Sequence, residues 1–409
     1  MTTLSIKSLA ARGRGAGLAL AVLGASVGAA GPAPPPASEL SAELARAQEL
    51  IEAESFDEAV TLLRGAVGRY PRDADARLLL GRALALVPRR SEALEELAAA
   101  VRLRPDFAPG HHALGMALLR FVETERARAA FEKAIELDPR FAQAHVSLAL
   151  VLAQSGEAEK AARHLDRALE IDGDSPAAAY PQYLRGLLHG EQDEGERAAR
   201  AFERAVALRP DYPEAFLQLG LARRRLLDYE GSLAALRQAV RLAPRSAQAR
   251  YELGGELLRA GEAEEAVAHL RRAVEAGPED TAALYKLARA LRIGGRAEEA
   301  QEVAARIEEI RSRSEAAHQH AFEASRLNNE GVELEETGKL EAAVARYASA
   351  LELDPLNTVF RRNLGLALCR AGRWKEAVPE LREVIRLDPD DERASKAFYI
   401  ALDMAGGKP

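Results

Sequence analysis

The 409-residue sequence is poor in the residues that build disulfides and β-sheets. Cys369 is the single cysteine, so an intramolecular disulfide is impossible. Aromatic residues make up 5% of the chain, and runs rich in valine, isoleucine and threonine are rare. Alanine, leucine, glutamate and arginine are common, and the 48% hydrophobic content is ample for a core. The composition therefore predicts a mainly helical, well-packed chain.

The sequence also lacks an excess of positive charge and the short motifs of common active sites. Its net charge is −7 and its pI is about 5.8, which argues against nucleic-acid binding. No phosphate-binding GxxxxGK[ST] loop, GxSxG elbow, HExxH helix or paired CxxC occurs. The adjacent His111 and His112 are interpreted as exposed or half-buried helix residues. We therefore predict no enzyme activity, no cofactor and no metal.

Residues 1–38 contain no acidic residue, and Glu39 is the first in the chain. Lys7, Arg12 and Arg14 precede a short run of apolar and small residues at 15–30. This pattern is typical of a secretory signal peptide, predicted at 1–30, and the run is short and glycine-rich for a membrane span. Residues 31–39, which include GPAPPPAS, are predicted to be a proline-rich tether. The expected location is periplasmic or secreted, with no membrane span after cleavage; an organellar transit peptide is the alternative.

A repeat of 34 residues organises the rest of the chain. It is marked by prolines that end related hexapeptides such as AIELDP and VIRLDP. Counted back from the proline, most repeats have a glycine 24 positions earlier, a small residue 12 positions earlier and an alanine 5 positions earlier. The small residues predict two helices that cross closely, and a glycine near position fifteen can end the first helix in a left-handed turn. The prolines that mark the period are Pro71, Pro105, Pro139, Pro210, Pro244, Pro278, Pro355 and Pro389.

This pattern resembles the tetratricopeptide repeat family, and GEAEEA, GRAEEA and GRWKEA resemble the turn inside its repeats. The resemblance implies an all-α fold, a right-handed superhelix of antiparallel helix pairs, with a cap helix at 392–404 followed by a tail to residue 409. Ten repeats are predicted, at 40–73, 74–107, 108–141, 142–175, 179–212, 213–246, 247–280, 281–314, 324–357 and 358–391.

The stretch EEIRSRSEAAHQHAFEAS at 308–325 interrupts the period with nine extra residues. It contains neither glycine nor proline, so we predict a helical joint at 315–323 that separates the array at 40–314 from the repeats at 324–391. On a helix His318 and His320 point about 200° apart, so they cannot bind one metal. The direction or spacing of the superhelix is expected to change at this joint.

The resemblance also implies a partner-binding groove, because in this family the first helix of each pair lines the concave face. Tyrosine and arginine are enriched at binding hot spots, and both recur at the groove-facing fifth, ninth and twelfth positions of repeats five to eight. Packing of the fifth and ninth positions against neighbouring first helices is the competing interpretation. The predicted protein-binding residues are Tyr183, Leu217, Leu221, Arg224, Tyr251, Tyr285, Arg289 and Arg292.

Two functions follow from these observations. The first is an exported, non-catalytic scaffold that binds other proteins or peptide segments through its groove, for example in envelope assembly or secretion. The second is a cytoplasmic regulatory or substrate-recruiting subunit of an enzyme complex, which applies if the beginning of the chain is not cleaved. Neither implies nucleic acid as a partner.

Overall fold

The computed structural model describes residues 38–406, and all regular structure in that range is helical. Twenty α-helices follow one another as antiparallel pairs, with one 3₁₀ turn at Pro176–Ala178. This confirms the predicted all-α solenoid of helix pairs. The predicted signal peptide and nearly all of the tether lie outside the described residues.

The chain divides into two compact units between Ala276 and Gly277. This division lies one repeat before the predicted joint, so the predicted array at 40–314 does not fall within one unit. The first unit holds α1 Ser38–Glu52, α2 Phe56–Arg69, α3 Ala74–Leu86, α4 Arg90–Leu103, α5 Ala108–Arg120, α6 Thr124–Leu137, α7 Ala142–Gln154, α8 Ala158–Asp172, α9 Ala179–Glu191, α10 Gly195–Leu208, α11 Pro213–Arg225, α12 Tyr229–Leu242, α13 Ala247–Ala260 and α14 Ala263–Ala276. The second unit holds α15 Thr281–Ile293, α16 Ala297–Glu336, α17 Leu340–Leu353, α18 Thr358–Arg370, α19 Trp374–Leu387 and α20 Glu392–Met404.

The glycine at position eight of most repeats is required by the close crossing of the two helices in a pair. A Cβ built on Gly186 would lie 2.5 Å from Cε1 of Phe202, which occupies position twenty-four of the same repeat. Phe202 is buried, and Ala198 and Ala205 at positions twenty and twenty-seven are buried beside it. The sequence pattern of small residues is therefore the pattern of helix contacts.

The turn between the helices of a pair uses a left-handed residue, as predicted. Gly261 has φ 82° at the end of α13, where its backbone N–H bonds to carbonyls of the last turn. Repeats without a glycine here place another residue in the same conformation, including Val122 at φ 67° and Leu227 at φ 64°. A branched or bulky side chain at positive φ is strained, so these two turns are less favourable than the glycine turns.

A polar contact that the sequence analysis missed ties five of the first helices to the turn before them. The side chain at position four donates a hydrogen bond to the carbonyl oxygen of the proline six residues earlier, for example from Arg77 Nε to Pro71 O at 2.7 Å. The same contact occurs at Arg250, Arg361, His111 and His145. It satisfies the carbonyl of the proline in the turn between one repeat and the next.

The same position-four side chain also contacts position twenty-three of its own repeat, which gives the histidines of repeat four a structural role. Arg77 pairs with Glu96 at 2.5 Å, whereas His145 Nδ1 and His164 Nδ1 lie 2.9 Å apart. Because His145 Nε2 donates to a carbonyl, its Nδ1 is the acceptor and His164 donates. Burial is the main cause of the lowered pKa of both rings.

His112 is the one histidine at position five of a first helix, and it is fully buried rather than exposed or half-buried as expected. Its ring lies 5.5 Å from that of Phe131 and 5.1 Å from that of Phe141, and Nε2 is 2.9 Å from Ser147 Oγ. Burial, with a smaller contribution from the Arg82 charge, lowers the pKa of His112 to about 4. The structure thus holds a neutral imidazole in the core.

The joint predicted at 315–323 is helical, as expected from its sequence. It forms the middle of α16, a single helix of 40 residues that joins the second helix of repeat eight to the first helix of repeat nine. At 1.5 Å per residue α16 is about 60 Å long. Residues 311–322 are exposed on every side. Because a continuous helix cannot reverse direction, repeat nine is not folded back onto repeat eight.

Repeat nine has a charged residue where most repeats of the array have leucine. Its position seven is Glu330, whereas repeats two to four, six to eight and ten have leucine there and repeat five has Arg185. Its position three is Arg326, which forms ion pairs with Glu323 and Glu330. Repeat one shows a similar polar face, with Arg46 at position seven. Repeat nine thus shares a charged position seven with repeats one and five.

Candidate protein-binding site

The structure separates the eight predicted groove residues into two sets. Tyr183, Leu217, Leu221, Arg224 and Tyr251 lie in the first unit, and Tyr285, Arg289 and Arg292 lie in the second. We describe each set by itself.

Three of the predicted contact residues are core residues in the free chain. Tyr183 is 2% exposed, and its ring lies 5.1 Å from that of Tyr212 and 5.9 Å from that of Phe202. Leu217 and Leu221 are also buried. The expectation that these side chains meet a partner is therefore wrong for the free chain, because they are buried within the first unit.

Arg224 is not available for the carboxylate of a partner in the way the sequence suggested. Its guanidinium lies 2.7 Å from Glu252 and 3.5 Å from Glu256, both on α13. These carboxylates raise the pKa of Arg224 against the opposing effect of burial, which is the largest single influence. Tyr251, on the same helix, is half-buried and also contacts neighbouring groups. In this part of the predicted groove, carboxylates of the same chain therefore neutralise the positive charge of Arg224.

The second set forms an exposed, positively charged face of α15. Tyr285 is 57% exposed, and both Arg289 and Arg292 are exposed. At 100° per residue the three side chains lie within about 60° of one another around the helix. Within residues 38–406 neither guanidinium forms an ion pair or hydrogen bond, although most arginines in that range do. We call these three residues the α15 face.

The positive charge of the α15 face comes from Arg289 and Arg292 themselves, beside a charged cluster on α16. Arg311 of α16 is close enough to interact electrostatically with Tyr285, and it is paired with Glu315 at 3.0 Å and Glu308 at 3.6 Å. The hydrogen bond to Glu315 is the main cause of the raised pKa of Arg311. Arg311 and its two carboxylates therefore carry a net charge of about −1, whereas no carboxylate among the described residues pairs with Arg289 or Arg292.

A second feature, which the sequence analysis missed, is a cleft of about 280 Å³ in the first unit, between α9, α10 and α11. Its lining includes Gln218 and Arg225 at positions six and thirteen of repeat six, and Gly190 at position twelve of repeat five. The signal in the sequence was Gly190, because the other first helices from repeat two to repeat eight carry a side chain at that position.

Residues 38–406 contain no group of three or more histidine, cysteine or acidic side chains arranged to hold a metal ion. Cys369 is half-buried, and burial raises the pKa of its thiol, which makes it a poorer nucleophile. In the same range no helix is both long and apolar enough to cross a membrane.

Sequence profiles of the tetratricopeptide repeat match residues 44–107, 112–176, 183–247, 217–278, 257–321 and 328–392. The match covers well over half of the chain, so the protein belongs to the tetratricopeptide repeat family. Repeats of this family generally bind proteins or peptides, and the chain is accordingly a protein-interaction scaffold.

Solved structures of other family members are similar to parts of the chain. Pseudomonas aeruginosa PilF is 18% identical, covers 54% of this chain and 99% of its own, and has a TM-score of 0.49. PilW, described as a widely conserved type IV pilus biogenesis factor, is 18% identical with a TM-score of 0.46, covering 52% of this chain and 96% of its own. YrrB, described as having an unusual peptide-binding site, is 23% identical with a TM-score of 0.40, covering 47% and 97%. No curated protein sequence matches the chain significantly.

Proposed function

We propose that this protein is an exported, non-catalytic scaffold that binds a partner protein through the α15 face. The observation that carries the proposal is the pair of exposed guanidinium groups of Arg289 and Arg292, unpaired within the described residues, next to the exposed ring of Tyr285. Arginine and tyrosine are the side chains most often found at the energetic centre of protein interfaces. A carboxylate from another molecule binds an exposed arginine most favourably when no carboxylate of the arginine's own chain is already paired with it.

The spacing of the α15 face defines the partner segment. Tyr285 and Arg292 are seven residues apart, which is about 10 Å along a helix, and Arg289 lies between them. About three residues of extended chain span that distance. The partner is therefore a short segment with two carboxylates and one apolar side chain next to them.

Export is supported by the sequence of residues 1–30, with its basic start, apolar run and lack of acidic residues. A role in envelope assembly or secretion is part of this proposal. N-terminal sequencing of the protein recovered from its native host tests export. Cleavage near Ala30 supports it, whereas a mature chain that retains Lys7 contradicts it and favours the cytoplasmic alternative.

Partner binding is tested by comparing two tyrosine variants in affinity capture. Tyr285→Ala removes the apolar part of the α15 face, and Tyr399→Ala removes a tyrosine of similar exposure, 63%, from α20 in the same unit. We expect recovery of captured partners to fall at least tenfold for Tyr285→Ala and to stay unchanged for Tyr399→Ala. Equal recovery by both variants, with both folded by circular dichroism, overturns the α15 face as the binding site.

A further inference from the structure

The cleft between α9, α10 and α11 lies beside the turns that join the helices of repeats five and six. Its wall is built from the last turn of α9, the turn after it, and the last turn of α11. Leu187, Phe202 and Leu221 provide apolar surface inside it. A volume of about 280 Å³ is at the lower end for ligand pockets, so the cleft fits a single side chain with its backbone.

Gly190 lies in the wall of the cleft and leaves open space beside its backbone. A Cβ built on this residue would meet no heavy atom within 4 Å, although Gly190 lies near the end of a helix that is packed on both sides. Gly190 does not have a positive φ, so the turn geometry does not require glycine. In repeat six Arg224 occupies the equivalent position.

Two polar groups in the cleft have no partner within the described residues. Gln218 is only 6% exposed, and its buried Nε2 has no hydrogen-bond partner. A buried amide donor without a partner is rare in folded proteins, and turning the amide by 180° exchanges its nitrogen and oxygen, so either can face a ligand. Arg225, at the mouth, forms no ion pair or hydrogen bond with residues 38–406. Both groups suit a ligand that offers acceptor oxygens.

The rim of the cleft is apolar and strained. Leu226 lines the cleft and is 41% exposed, and the next residue, Leu227, is 70% exposed at φ 64°. Other repeats place glycine at this left-handed position. Exposed leucines held in a strained turn beside an open cleft are the kind of outlier that marks a contact surface.

We propose that this cleft is a second protein-docking site, which takes one apolar side chain of a partner segment while Arg225 pairs with a carboxylate next to it. Gln218 then hydrogen-bonds the backbone carbonyl of the inserted residue. Glu191 and Asp193 also line the cleft, so a polyanion such as a nucleic acid or a polyphosphate is disfavoured. The site lies in the first unit and uses no residue of the α15 face.

The first test uses a minimal probe of this chemistry, the blocked dipeptide acetyl-Leu-Asp-amide, titrated into the full-length protein. Binding is followed by NMR through the side-chain amide signal of Gln218. We expect a saturable shift with millimolar affinity. Acetyl-Leu-Asn-amide should bind about tenfold more weakly, because it cannot pair with Arg225, and acetyl-Ala-Asp-amide should bind more weakly still. No saturable shift with the Leu-Asp probe, or equal shifts with all three, overturns the proposal.

The second test blocks the cleft without damaging the fold. Gly190→Leu fills the space from its own wall and replaces a helical glycine by a strong helix former. Gly65→Leu is its matched control, since Gly65 is also helical and a Cβ there also meets nothing within 4 Å. Binding of the Leu-Asp probe should be lost in Gly190→Leu and kept in Gly65→Leu. Retained binding by a folded Gly190→Leu protein contradicts the proposal.

Two further variants separate the cleft from the α15 face. Arg225→Gln should reduce the affinity for the Leu-Asp probe to that for the Leu-Asn probe, and Tyr285→Ala should leave both affinities unchanged. An affinity that depends on Tyr285 instead of Arg225 refutes the cleft while leaving the α15 face intact.

Discussion

The burial of His112 predicts that acid destabilises the first unit, by an amount that can be calculated. Burial lowers the pKa of this imidazole from 6.5 to about 4 in the folded chain. Above pH 6.5 both the folded and the unfolded chain hold a neutral ring. As the pH falls below 6.5 the unfolded chain binds a proton that the folded chain refuses, so stability decreases until about pH 4. At 1.36 kcal/mol per pKa unit the loss is about 3 kcal/mol.

The assay compares urea unfolding of the wild type and His112→Leu at pH 7.5 and pH 4, followed by circular dichroism. Leucine is the residue of repeats two and six at this position, so the variant should fold. The other titrating groups are common to both proteins, and the wild type should therefore lose about 3 kcal/mol more than His112→Leu between the two pH values. His111→Leu, which changes the more exposed neighbour, should keep the full pH dependence. Equal losses in the wild type and His112→Leu refute the reasoning.

Three substitutions test the packing account by urea unfolding. Gly186→Ala should lower the free energy of unfolding by about 1–3 kcal/mol, because the added methyl group overpacks the helix crossing. Gly190→Ala in the same helix should raise it by up to about 1 kcal/mol, because the added methyl group meets no atom. Equal effects of the two substitutions contradict the packing role of Gly186. Leu227→Gly should be neutral or stabilising by up to about 1 kcal/mol, because glycine relieves the left-handed strain, and a clear loss argues against strain. Arg361→Leu should lower the free energy of unfolding by about 1–3 kcal/mol, because it removes hydrogen bonds to a proline carbonyl and to a carboxylate. Arg386→Leu, which removes only a surface ion pair, should lower it by less than about 1 kcal/mol. The reverse order refutes the role of position four.

The fold could be predicted from the sequence because the small residues that allow the two helices of a pair to pack recur at fixed positions in most repeats. A glycine is needed at position eight of repeat five, because a Cβ on Gly186 would lie 2.5 Å from the ring of Phe202 at position twenty-four. The spacing of small residues therefore predicts the helix pair. The cap helix lies at Glu392–Met404, as predicted, and the joint at 315–323 is helical because nothing in it breaks a helix.

The candidate site could be predicted only in part, because exposure depends on neighbours that one repeat does not specify. Tyr183 and Tyr285 both occupy position five, yet they are 2% and 57% exposed. Tyr183 packs against aromatic rings of α10 and of the turn before α11. Beside α15, by contrast, the chain continues outward along α16 and no folded-back first helix of repeat nine covers the ring. The long continuous helix decides which side chains stay at the surface.

The charges illustrate the same limit. Arg224 and Arg292 both occupy position twelve, and nothing in the repeat pattern distinguishes them. Glu252 and Glu256 on the next first helix neutralise Arg224. No carboxylate among residues 38–406 reaches Arg292. Pairing of this kind depends on which repeat follows and in what orientation, so it becomes visible only when the helices are placed.

The central claim, that the α15 face binds an acidic partner segment, is tested most directly by charge reversal. The double variant Arg289→Glu/Arg292→Glu should reduce partner recovery in affinity capture at least tenfold. Arg245→Glu/Arg393→Glu makes the same change in net charge at exposed arginines elsewhere, and should leave recovery unchanged. The predicted result is loss of the partner with the first variant only. The binding that remains should show no increase in salt dependence. Equal recovery by the two folded variants contradicts the account.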